Sequence, residues 1–462
     1  MNKRVMQLRS GTPGLAWPPL VPPKAAAFYA LWRQLEDSQW LTADEIEQRQ
    51  KHQLMLRLRF AAQRDAAVAR LLDQWPWQDR TARLASLMQQ LPLLTRRTLQ
   101  TQPDRCFAEP PVSHGKVTEL KTSGSSGEPV AVRAAAQVFQ LRAALTLRGH
   151  MWHGLNFRSA FAAIRGGIRE KRRDKFFDAP RWGGMPALLF ETGRSHALDI
   201  ATPLDEQRVW LKQRRPGILL SLPSNLAALL ETMPHAWPEL THVLTISETL
   251  SPDLRQRLQS QWNCVVRDKY SSEELGSIAI ECEHGNYHCS EHLIVEVLRE
   301  DGSACDPGEI GRVVVTDTWN FATHMVRYDI RDYAQAGSVC ACGRGLPVLS
   351  RIMGRVRNLM TLPDGRKFWP MFGMRSYGEL APIHQMQFVQ TQPDELLVRY
   401  VCARDLTETE QLAVSDRVCS YIQYPLRISF ERSLVPLNTG AGYKFEEFKS
   451  LVQDTSQKSV FS

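Results

Sequence analysis

The stretch GILLSLPSNLAALLETMPHAWPELTHVLTIS (Gly217–Ser247) decides the fold class of this 462-residue chain. A short apolar run, Ile218–Leu222, precedes a segment with helical spacing of apolar residues, Ser224–Met233, and a second apolar run follows at His242–Ser247. Short apolar runs that alternate with helical segments are typical of β-α-β units, in which consecutive strands are parallel. The stretch therefore predicts part of a parallel sheet.

The same alternation extends to both sides of this stretch. It continues through Pro252–Trp262 and Cys264–Arg267, and it begins near Leu120. Further upstream, Thr42 and Glu45 form a capping-box pattern ahead of a long run of helically spaced apolar residues. We therefore expect residues 1–100 to form a helical N-terminal layer.

After Gly308 the pattern changes to strand-like alternation, and a further change near Gly354 leaves about a hundred residues of mixed pattern. The predicted fold class is α/β. A large N-terminal α/β domain, residues 1–355, has mixed, largely parallel sheets, and a small C-terminal α+β lid domain spans residues 356–462.

Composition indicates a globular protein of ordinary make-up, with 43% hydrophobic and 23% charged residues. The basic N-terminus has no apolar run behind it, and polar residues interrupt the most apolar stretch, Gly217–Leu230, so we expect a cytoplasmic protein without membrane insertion. The nine cysteines are odd in number and scattered, which favours reduced thiols or metal ligands over disulfides.

The net charge of +8 and the pI near 9.0 are compatible with nucleic acid, an anionic membrane or a small anionic ligand. Basic residues cluster in Arg165–Lys175 and form no long tail. A solvated basic face or a docking surface for an acidic partner is therefore favoured, and we expect no nucleic-acid partner.

A Gly/Ser-rich loop, LKTSGSSGEPVAV (Leu120–Val132), lies between two apolar segments. Its backbone N–H groups and hydroxyls can together bind an anion, as in a phosphate-binding loop. A plain Gly/Ser turn between strands is the alternative. The residues that would hold the phosphates are Thr122, Ser123, Gly124, Ser125, Ser126 and Gly127.

Two further segments carry acidic and aromatic residues near predicted strand ends. The first, YSSEELG (Tyr270–Gly276), offers a carboxylate for magnesium and an aromatic ring for a nucleotide pocket, although a helix capped by Ser271 or Ser272 is the alternative. The second, MVRYDIRDY (Met325–Tyr333), offers an aspartate suited to the two ribose hydroxyls.

Cys282, His288, Cys340 and Cys342 have the residue types of a closed, structural zinc site. The spacing departs from the common C-x2-C pair, and His284 and Cys289 are rival ligands. Buried free cysteines are the alternative interpretation.

The tail segment VPLNTGAGYKF (Val435–Phe445) is a glycine-rich turn that presents Lys444. A lysine on such a turn can bring a positive charge to a polyanionic transition state. A solvated surface lysine is the alternative.

The order of these segments resembles the phenylacetate–coenzyme A ligase branch of the adenylate-forming superfamily, including its capsule-biosynthesis-type members. The resemblance runs from about Leu91 to Lys444. The segments that carry it, in order, are TSGSSGEP, ISETL (Ile246–Leu250), Y-x-x-x-E, GEIGRVVVT, R-Y-x-x-x-D, C-x-C-G-R and G-R.

The resemblance implies a role for each matching residue. Thr122 to Gly127 would hold the β- and γ-phosphates of ATP, Glu274 would position Mg²⁺, and Tyr270 would lie beside the nucleotide. Asp332 would bind ribose, and Arg355 would contact the ribose–phosphate region. Lys444 would be the mobile lysine of adenylation, and Arg357 would lie at the hinge of the lid. Further nucleotide contacts are implied for Ser247, Glu248 and Ser272.

The implied reaction is ATP-dependent activation of a carboxylic acid to an acyl-adenylate, followed by transfer to coenzyme A or to the phosphopantetheine of a carrier protein. An aryl or other apolar acid is suggested by aromatic residues between the phosphate loop and Tyr270, which are Trp152, Phe157, Phe161, Trp182 and Phe190. The alternatives are an adenylating amide ligase, an AMP transferase to a hydroxyl group, and a non-catalytic nucleotide-binding relative. A homodimer is possible.

Overall fold

The computed structural model describes residues 8–63, 66–75, 83–121, 130–168, 174–355, 359–368, 370, 372, 375–378, 380–435, 437 and 447–452. The chain forms two compact units. The first comprises Met1–Ser247 and Leu258–Ile352, and the second comprises Glu248–Arg257 and Met353–Ser462.

The described helices begin with an N-terminal group, α1 (Pro23–Ser38), α2 (Ala43–Ala62), α3 (Ala66–Gln74), α4 (Leu84–Gln90), α5 (Arg96–Thr101) and α6 (Pro103–Cys106). The later helices are α7 (Ala136–Trp152), α8 (Pro186–Leu189), α9 (Leu204–Arg214), α10 (Pro223–Thr232), α11 (Pro252–Trp262), α12 (Arg375–Gly378) and α13 (Glu408–Ile422).

The described strands up to the middle of the chain are β1 (Val117–Lys121), β2 (Ala131–Ala135), β3 (Phe161–Arg165), β4 (Phe176–Ala179), β5 (Ser195–Asp199), β6 (Ile218–Ser221), β7 (His242–Ile246), β8 (Val265–Ser272), β9 (Gly276–Glu281) and β10 (Tyr287–Cys289). The remaining strands are β11 (Leu293–Leu298), β12 (Ile310–Asp317), β13 (Tyr328–Ala336), β14 (Val348–Arg355), β15 (Met360–Thr361), β16 (Lys367–Phe368), β17 (Gln385–Gln392), β18 (Glu395–Val401), β19 (Arg427–Ser433) and β20 (Phe448–Ser450).

The described residues between Pro23 and Cys106 are mainly helical. Thr42 caps α2 as part of a capping box with Glu45, whose carboxylate accepts the Thr42 backbone N–H at 2.8 Å. The predicted long helical run is divided, because α2 ends at Ala62 and α3 begins at Ala66.

A 12-stranded mixed sheet, in the order β11-β12-β13-β14-β10-β9-β8-β7-β6-β3-β5-β4, forms the centre of the first unit. The stretch Gly217–Ser247 forms β6, α10 and β7, and β6 pairs with β7 in parallel as predicted. Parallel pairing joins β5, β3, β6, β7 and β8, whereas β8 pairs with β9 antiparallel. Four consecutive parallel pairs therefore lie in one half of the sheet.

The second unit contains a 4-stranded sheet, in the order β19-β18-β17-β20, and α13. Its apolar core includes Phe372, Tyr377, Phe388 and Val418. Phe372 stacks on Phe388 with ring centroids 3.9 Å apart. The described part of the chain has no helix long and apolar enough to cross a membrane.

Candidate active site and metal centre

Tyr270 and Asp332 meet in the first unit. Tyr270 lies in β8, and Asp332 lies in β13. The Tyr270 hydroxyl donates a hydrogen bond of 2.8 Å to Asp332 Oδ2. Tyr270 is 8% exposed and packs in an apolar cluster, so its ring is fixed. The hydrogen bond orients the Asp332 carboxylate, whose oxygens can each accept more than one hydrogen bond.

Glu274 lies in the turn between β8 and β9, where it is 6% exposed. Its Oε1 accepts a bond of 3.1 Å from Arg96 of α5. Arg96 also bonds the buried phenol of Tyr328, whose pKa burial raises. A buried carboxylate held in this way has the donor atoms that Mg²⁺ prefers, since one or two carboxylates together with substrate phosphates commonly bind this ion.

The turn that carries Glu274 is held by Arg142 of α7. The Arg142 guanidinium donates to the carbonyl oxygens of Glu273, at 3.3 Å, and of Glu274, at 2.6 Å. Gly276 ends the turn with a φ of +76°, and a Cβ atom there would lie 2.7 Å from Arg142 Nε. Only glycine suits this position, since both its backbone angle and its close neighbour exclude a side chain.

The segment Tyr270–Gly276 forms a strand end and a turn, so the alternative of a helix start is wrong. Ser272 is the last residue of β8, and its Oγ accepts the backbone N–H of Leu275 at 3.1 Å. Ser247 follows β7 directly, is exposed and has a φ of +72°. Such a backbone angle in a non-glycine residue is strained and is common at functional sites.

The remaining predicted site residues lie in other parts of the chain. Glu248 and Arg355, the last residue of β14, belong to the second unit. The phosphate loop Thr122–Gly127, the hinge residue Arg357 and Lys444 all lie outside the described residues. Their roles stay predictions.

The structure brings together Cys282, His288, Cys340 and Cys342. Their ligand atoms all lie within 4.8 Å of one another. The sulfur atoms of Cys282 and Cys340 are 3.7 Å apart, and Cys342 Sγ lies 3.1 Å from His288 Nε2. A tetrahedral zinc ion with bonds of about 2.3 Å would separate two sulfur ligands by about 3.8 Å. Three thiols and one imidazole in this arrangement fit zinc and leave no open position.

Hydrogen bonds to sulfur surround this cluster. The backbone N–H of His284 donates to Cys282 Sγ at 3.4 Å, and the Asn286 amide donates to Cys340 Sγ at the same distance. Burial alone would raise the pKa of Cys340, but hydrogen bonds, led by that from the Cys342 backbone N–H, outweigh burial and lower it. These hydrogen bonds therefore favour the thiolate of Cys340, whereas burial raises the pKa of Cys282 to about 12.

The rival ligands are placed elsewhere in the first unit. Cys289 is 1% exposed and lies in an apolar cluster. His284 contacts the cysteine cluster through its backbone N–H, which donates to Cys282 Sγ. Burial, followed by the charge of Arg344, lowers the pKa of His288 to about 4, so its imidazole is neutral at pH 7, as a metal ligand must be.

Arg344 connects the cysteine cluster to the N-terminal helices. Its guanidinium lies over Trp152, 4.3 Å from the ring centroid, and over Trp40 at 5.2 Å. Arg344 Nε also donates to the Gln39 side chain at 3.0 Å, and the Gly345 backbone N–H donates to the Gln39 carbonyl at 3.0 Å. This part of the cluster therefore depends on the turn between α1 and α2.

The aromatic residues expected to line an acid pocket divide into two groups. Trp182 contacts Phe157 and Phe161, with ring centroids 4.9 Å and 5.3 Å apart, and Phe157 contacts Phe190. Trp152 is separate and contacts His288 instead, at 5.8 Å. Phe157 and Phe190 are 4% and 2% exposed and belong to the core, so Phe161 and Trp182 are the better candidates for a pocket wall.

Arg96, Arg142 and Lys269 were missed by sequence reasoning. Arg96 and Arg142 lie on helices far along the chain from the turn that they hold, and neither stands in a recognisable pattern. Lys269 directly precedes Tyr270, but a lysine within a strand gives no signal of what faces it.

The fold is that of the adenylate-forming ligases. Crystal structures of 2-hydroxyisobutyryl-CoA ligase in the postadenylation state match with TM-scores of 0.68 and 0.69 and 16% identity. The first match covers 90% of this chain and 91% of that chain. The anthranilate CoA ligase AuaEII matches with a TM-score of 0.50 and 15% identity, over 70% of this chain and 64% of that chain.

The sequence comparisons give no match. The chain matches no protein-family profile, and no curated protein sequence matches it. The likeness to known proteins is therefore one of fold.

Proposed function

We propose that the protein is an ATP-dependent adenylate-forming ligase of the phenylacetate–CoA ligase-like type, which activates a carboxylic acid and then transfers the acyl group to a thiol. The observation that carries the proposal is the hydrogen bond of 2.8 Å between Tyr270 and Asp332. The buried carboxylate of Glu274 follows Tyr270 by four residues in the sequence. These groups lie in a fold that acyl-CoA ligases share.

The chemistry requires positioning and charge neutralisation rather than a protein nucleophile. A carboxylate oxygen of the acid attacks the α-phosphorus of ATP, the bond from that phosphorus to the pyrophosphate oxygen breaks, and pyrophosphate leaves. Asp332 accepts hydrogen bonds from the ribose hydroxyls, and Tyr270 keeps the Asp332 carboxylate in place. Glu274 would hold Mg²⁺, which neutralises phosphate charge when bound.

Further residues complete the proposed site. The loop Thr122–Gly127 holds the β- and γ-phosphates, and Ser247, Glu248, Ser272 and Arg355 contact the nucleotide. Lys444 supplies a positive charge to the developing transition state. Residues 356–462 form a lid that turns at Arg357.

The proposed acceptor is the thiol of coenzyme A or of a carrier protein's phosphopantetheine. The thiolate attacks the acyl carbon of the adenylate, and AMP leaves with the electron pair of the broken bond. The solved 2-hydroxyisobutyryl-CoA ligase holds 2-HIB-AMP and CoA in one of its crystal structures, with a TM-score of 0.54 to this chain. An aryl acid is proposed because Phe161 and Trp182 form a partly buried aromatic wall.

The cysteine cluster has a structural role in this proposal. Cys282, His288, Cys340 and Cys342 would hold Zn²⁺ in a closed tetrahedral site, since their ligand atoms lie within 4.8 Å of one another. A closed site stabilises the fold and takes no part in the reaction.

The test is carboxylate-dependent pyrophosphate release from ATP and Mg²⁺ across a panel of aryl, arylacetic, fatty and dicarboxylic acids, without an acceptor. We expect release with one class of acid and loss of release in Asp332→Ala. Asp205→Ala is the matched control, since that aspartate is exposed on α9.

Adding CoA identifies the acceptor. AMP formation that depends on CoA supports the thiol ligase, whereas dependence on an amine or a phenol supports the other acceptors. Bound ATP without pyrophosphate release, for every acid and acceptor, would overturn the proposal in favour of a non-catalytic nucleotide-binding protein.

A further inference from the structure

One face of α7 is polar and partly accessible, although it faces the sheet. Arg142, Thr146 and His150 follow one another at intervals of four residues, so they lie on one side of the helix. All three are partly buried, whereas the neighbouring side chains of Leu141 and Leu145 are buried. Solvent therefore still reaches the side chains between this face and the sheet, and the space beside them is called the recess below.

Lys269 lies opposite this face. In the sheet register it pairs with Ile246 of β7 and with Ile280 of β9, so its side chain has an isoleucine on each side. Its Nζ donates to Thr146 Oγ1 at 3.3 Å, and this hydrogen bond joins β8 to α7. The side chain is partly buried.

Among the described residues, the charged and titratable groups that interact with Lys269 are Arg142 and His150 of α7 and His153, the residue after α7. Arg267 of the same strand and His242 of β7 lie around His153. Within the described part of the chain, no carboxylate makes a hydrogen bond or an ion pair with Lys269. Burial, followed by the charge of Arg142, lowers the pKa of Lys269 to about 8. A desolvated ammonium without a counter-ion is unfavourable, so the recess favours an anion.

The recess has two distinct ends. At one end Arg142 bonds the carbonyl oxygen of Glu274, next to the carboxylate proposed for Mg²⁺. At the other end the His150 ring contacts Phe161 and Trp182, with ring centroids 6.1 Å and 5.8 Å apart. Lys269 contacts the helix one turn beyond Arg142, a rise of about 6 Å over four residues.

We propose that the acid substrate is a dicarboxylic acid, whose second carboxylate binds the ammonium of Lys269 and the hydroxyl of Thr146. The inference rests on the proposed function, because the proposed function places the reacting carboxylate at the Glu274 end of the recess. The second carboxylate then lies toward Thr146, one helical turn along α7 from Arg142. Lys269 is a specificity-determining residue in this reading.

The experiment compares dicarboxylates with monocarboxylates of the same length. Glutarate, adipate, isophthalate and terephthalate are paired with pentanoate, hexanoate and benzoate. Binding to the full chain with a non-hydrolysable ATP analogue is measured by calorimetry, and pyrophosphate release is measured separately with ATP. The variants are Lys269→Met, Lys269→Arg and Thr146→Val, and Lys212→Met on the exposed surface of α9 is the control.

We expect the wild-type protein to bind one of the dicarboxylates at least about tenfold more tightly than its monocarboxylate, since a charge-assisted hydrogen bond contributes about that much. Lys269→Met removes this preference without weakening monocarboxylate binding. Lys269→Arg retains much of the preference because the charge stays, and Lys212→Met binds as the wild type does.

A pH series separates Lys269 from its neighbours. The pKa values of His150 and His153 are lowered to about 3 by burial, so neither ring titrates between pH 7 and 9. Lys269 loses its proton as the pH rises through about 8. Dicarboxylate affinity of the wild type therefore falls above pH 8, and Lys269→Arg keeps its affinity to higher pH.

The inference is overturned if no dicarboxylate binds better than its monocarboxylate, or if Lys269→Met keeps the preference. It is also overturned if Lys269→Met weakens both kinds of acid equally, because Lys269 would then bind the reacting carboxylate. Lys269-dependent dicarboxylate binding without pyrophosphate release would support the binding site and contradict the proposed ligase activity. The two proposals can therefore fail separately.

Discussion

Tyr270 and Asp332 are 62 residues apart in the sequence, yet one hydrogen bond of 2.8 Å joins them. A charge-assisted bond of this kind contributes about 1.5–3 kcal/mol and fixes the direction of the carboxylate. Tyr270 therefore contributes to the site through its hydroxyl, which orients Asp332, as well as through its ring.

Tyr270→Phe tests this role of the hydroxyl. We expect ATP affinity to fall about tenfold, because the carboxylate proposed to bind ribose loses its orientation while the ring remains. Equilibrium binding of ATP and Mg²⁺ measures the effect. Tyr29→Phe on α1 is the control, and an unchanged affinity in Tyr270→Phe would show that Asp332 needs no support from the phenol.

His153 gives the first unit a pH-dependent stability. Its Nε2–H donates to the Glu281 carbonyl at 2.9 Å, and burial lowers its pKa to about 3. The unfolded chain binds a proton near pH 6.5, whereas the folded protein does so only near pH 3. Stability from this group is therefore complete above pH 6.5 and falls as the pH drops toward 3.

We expect the free energy of unfolding to fall by up to about 1.4 kcal/mol per pH unit for this one histidine between pH 6.5 and 5. His153→Gln reduces that slope, whatever its effect at pH 7. Urea denaturation at pH 7 and at pH 5 measures it, with the exposed His52→Gln as the control. Equal slopes for His153→Gln and the wild type would contradict the prediction.

At the scale of elements, the cysteine cluster joins the turn between β9 and β10 to the segment that precedes β14. Cys340→Ser is expected to lower zinc content and to lower the melting temperature by about 5–10 °C, because a structural zinc ion contributes directly to folding. Metal analysis and thermal unfolding measure the two effects. Cys305→Ser, outside the cluster, is the control, and a wild-type protein purified without metal would contradict the zinc assignment.

The sequence predicted the structure correctly where the pattern depends on residues that are neighbours in the chain. The Thr42–Glu45 capping box and the β6-α10-β7 unit depend on neighbouring residues, and both are found as predicted. The antiparallel half of the large sheet was less visible, because buried strands of either kind read as short apolar runs. The contact of Trp152 with His288 was not visible in the sequence, since it depends on packing between distant elements.

The candidate site shows the same limit. Glu274 and Asp332 belong to recognisable segments, whereas Arg96 and Lys269 do not. Arg96 pairs with a carboxylate 178 residues further along the chain. Such a pair is set by how α5 packs near β8 and β9, and periodicity within one segment carries no record of that packing.

At the scale of the whole molecule, the proposed reaction depends on residues that are far apart in the sequence, from Thr122 to Lys444. Lys444→Ala is expected to lower pyrophosphate release at least about 100-fold and to leave ATP binding largely intact, because the proposed role of the lysine is to stabilise charge in the transition state. Lys449→Ala, on β20, is the control. Unchanged release in Lys444→Ala would show that another cation carries out this step.

The contact between Gln39 and Arg344 has a consequence for how the protein is made. The two residues are 305 positions apart. A ribosome that adds about 5–20 residues per second needs about 15–60 s to cover that distance. Gln39, in the turn after α1, is therefore synthesised that long before Arg344, its hydrogen-bond partner. Chaperones can bind the nascent N-terminal helices during this interval.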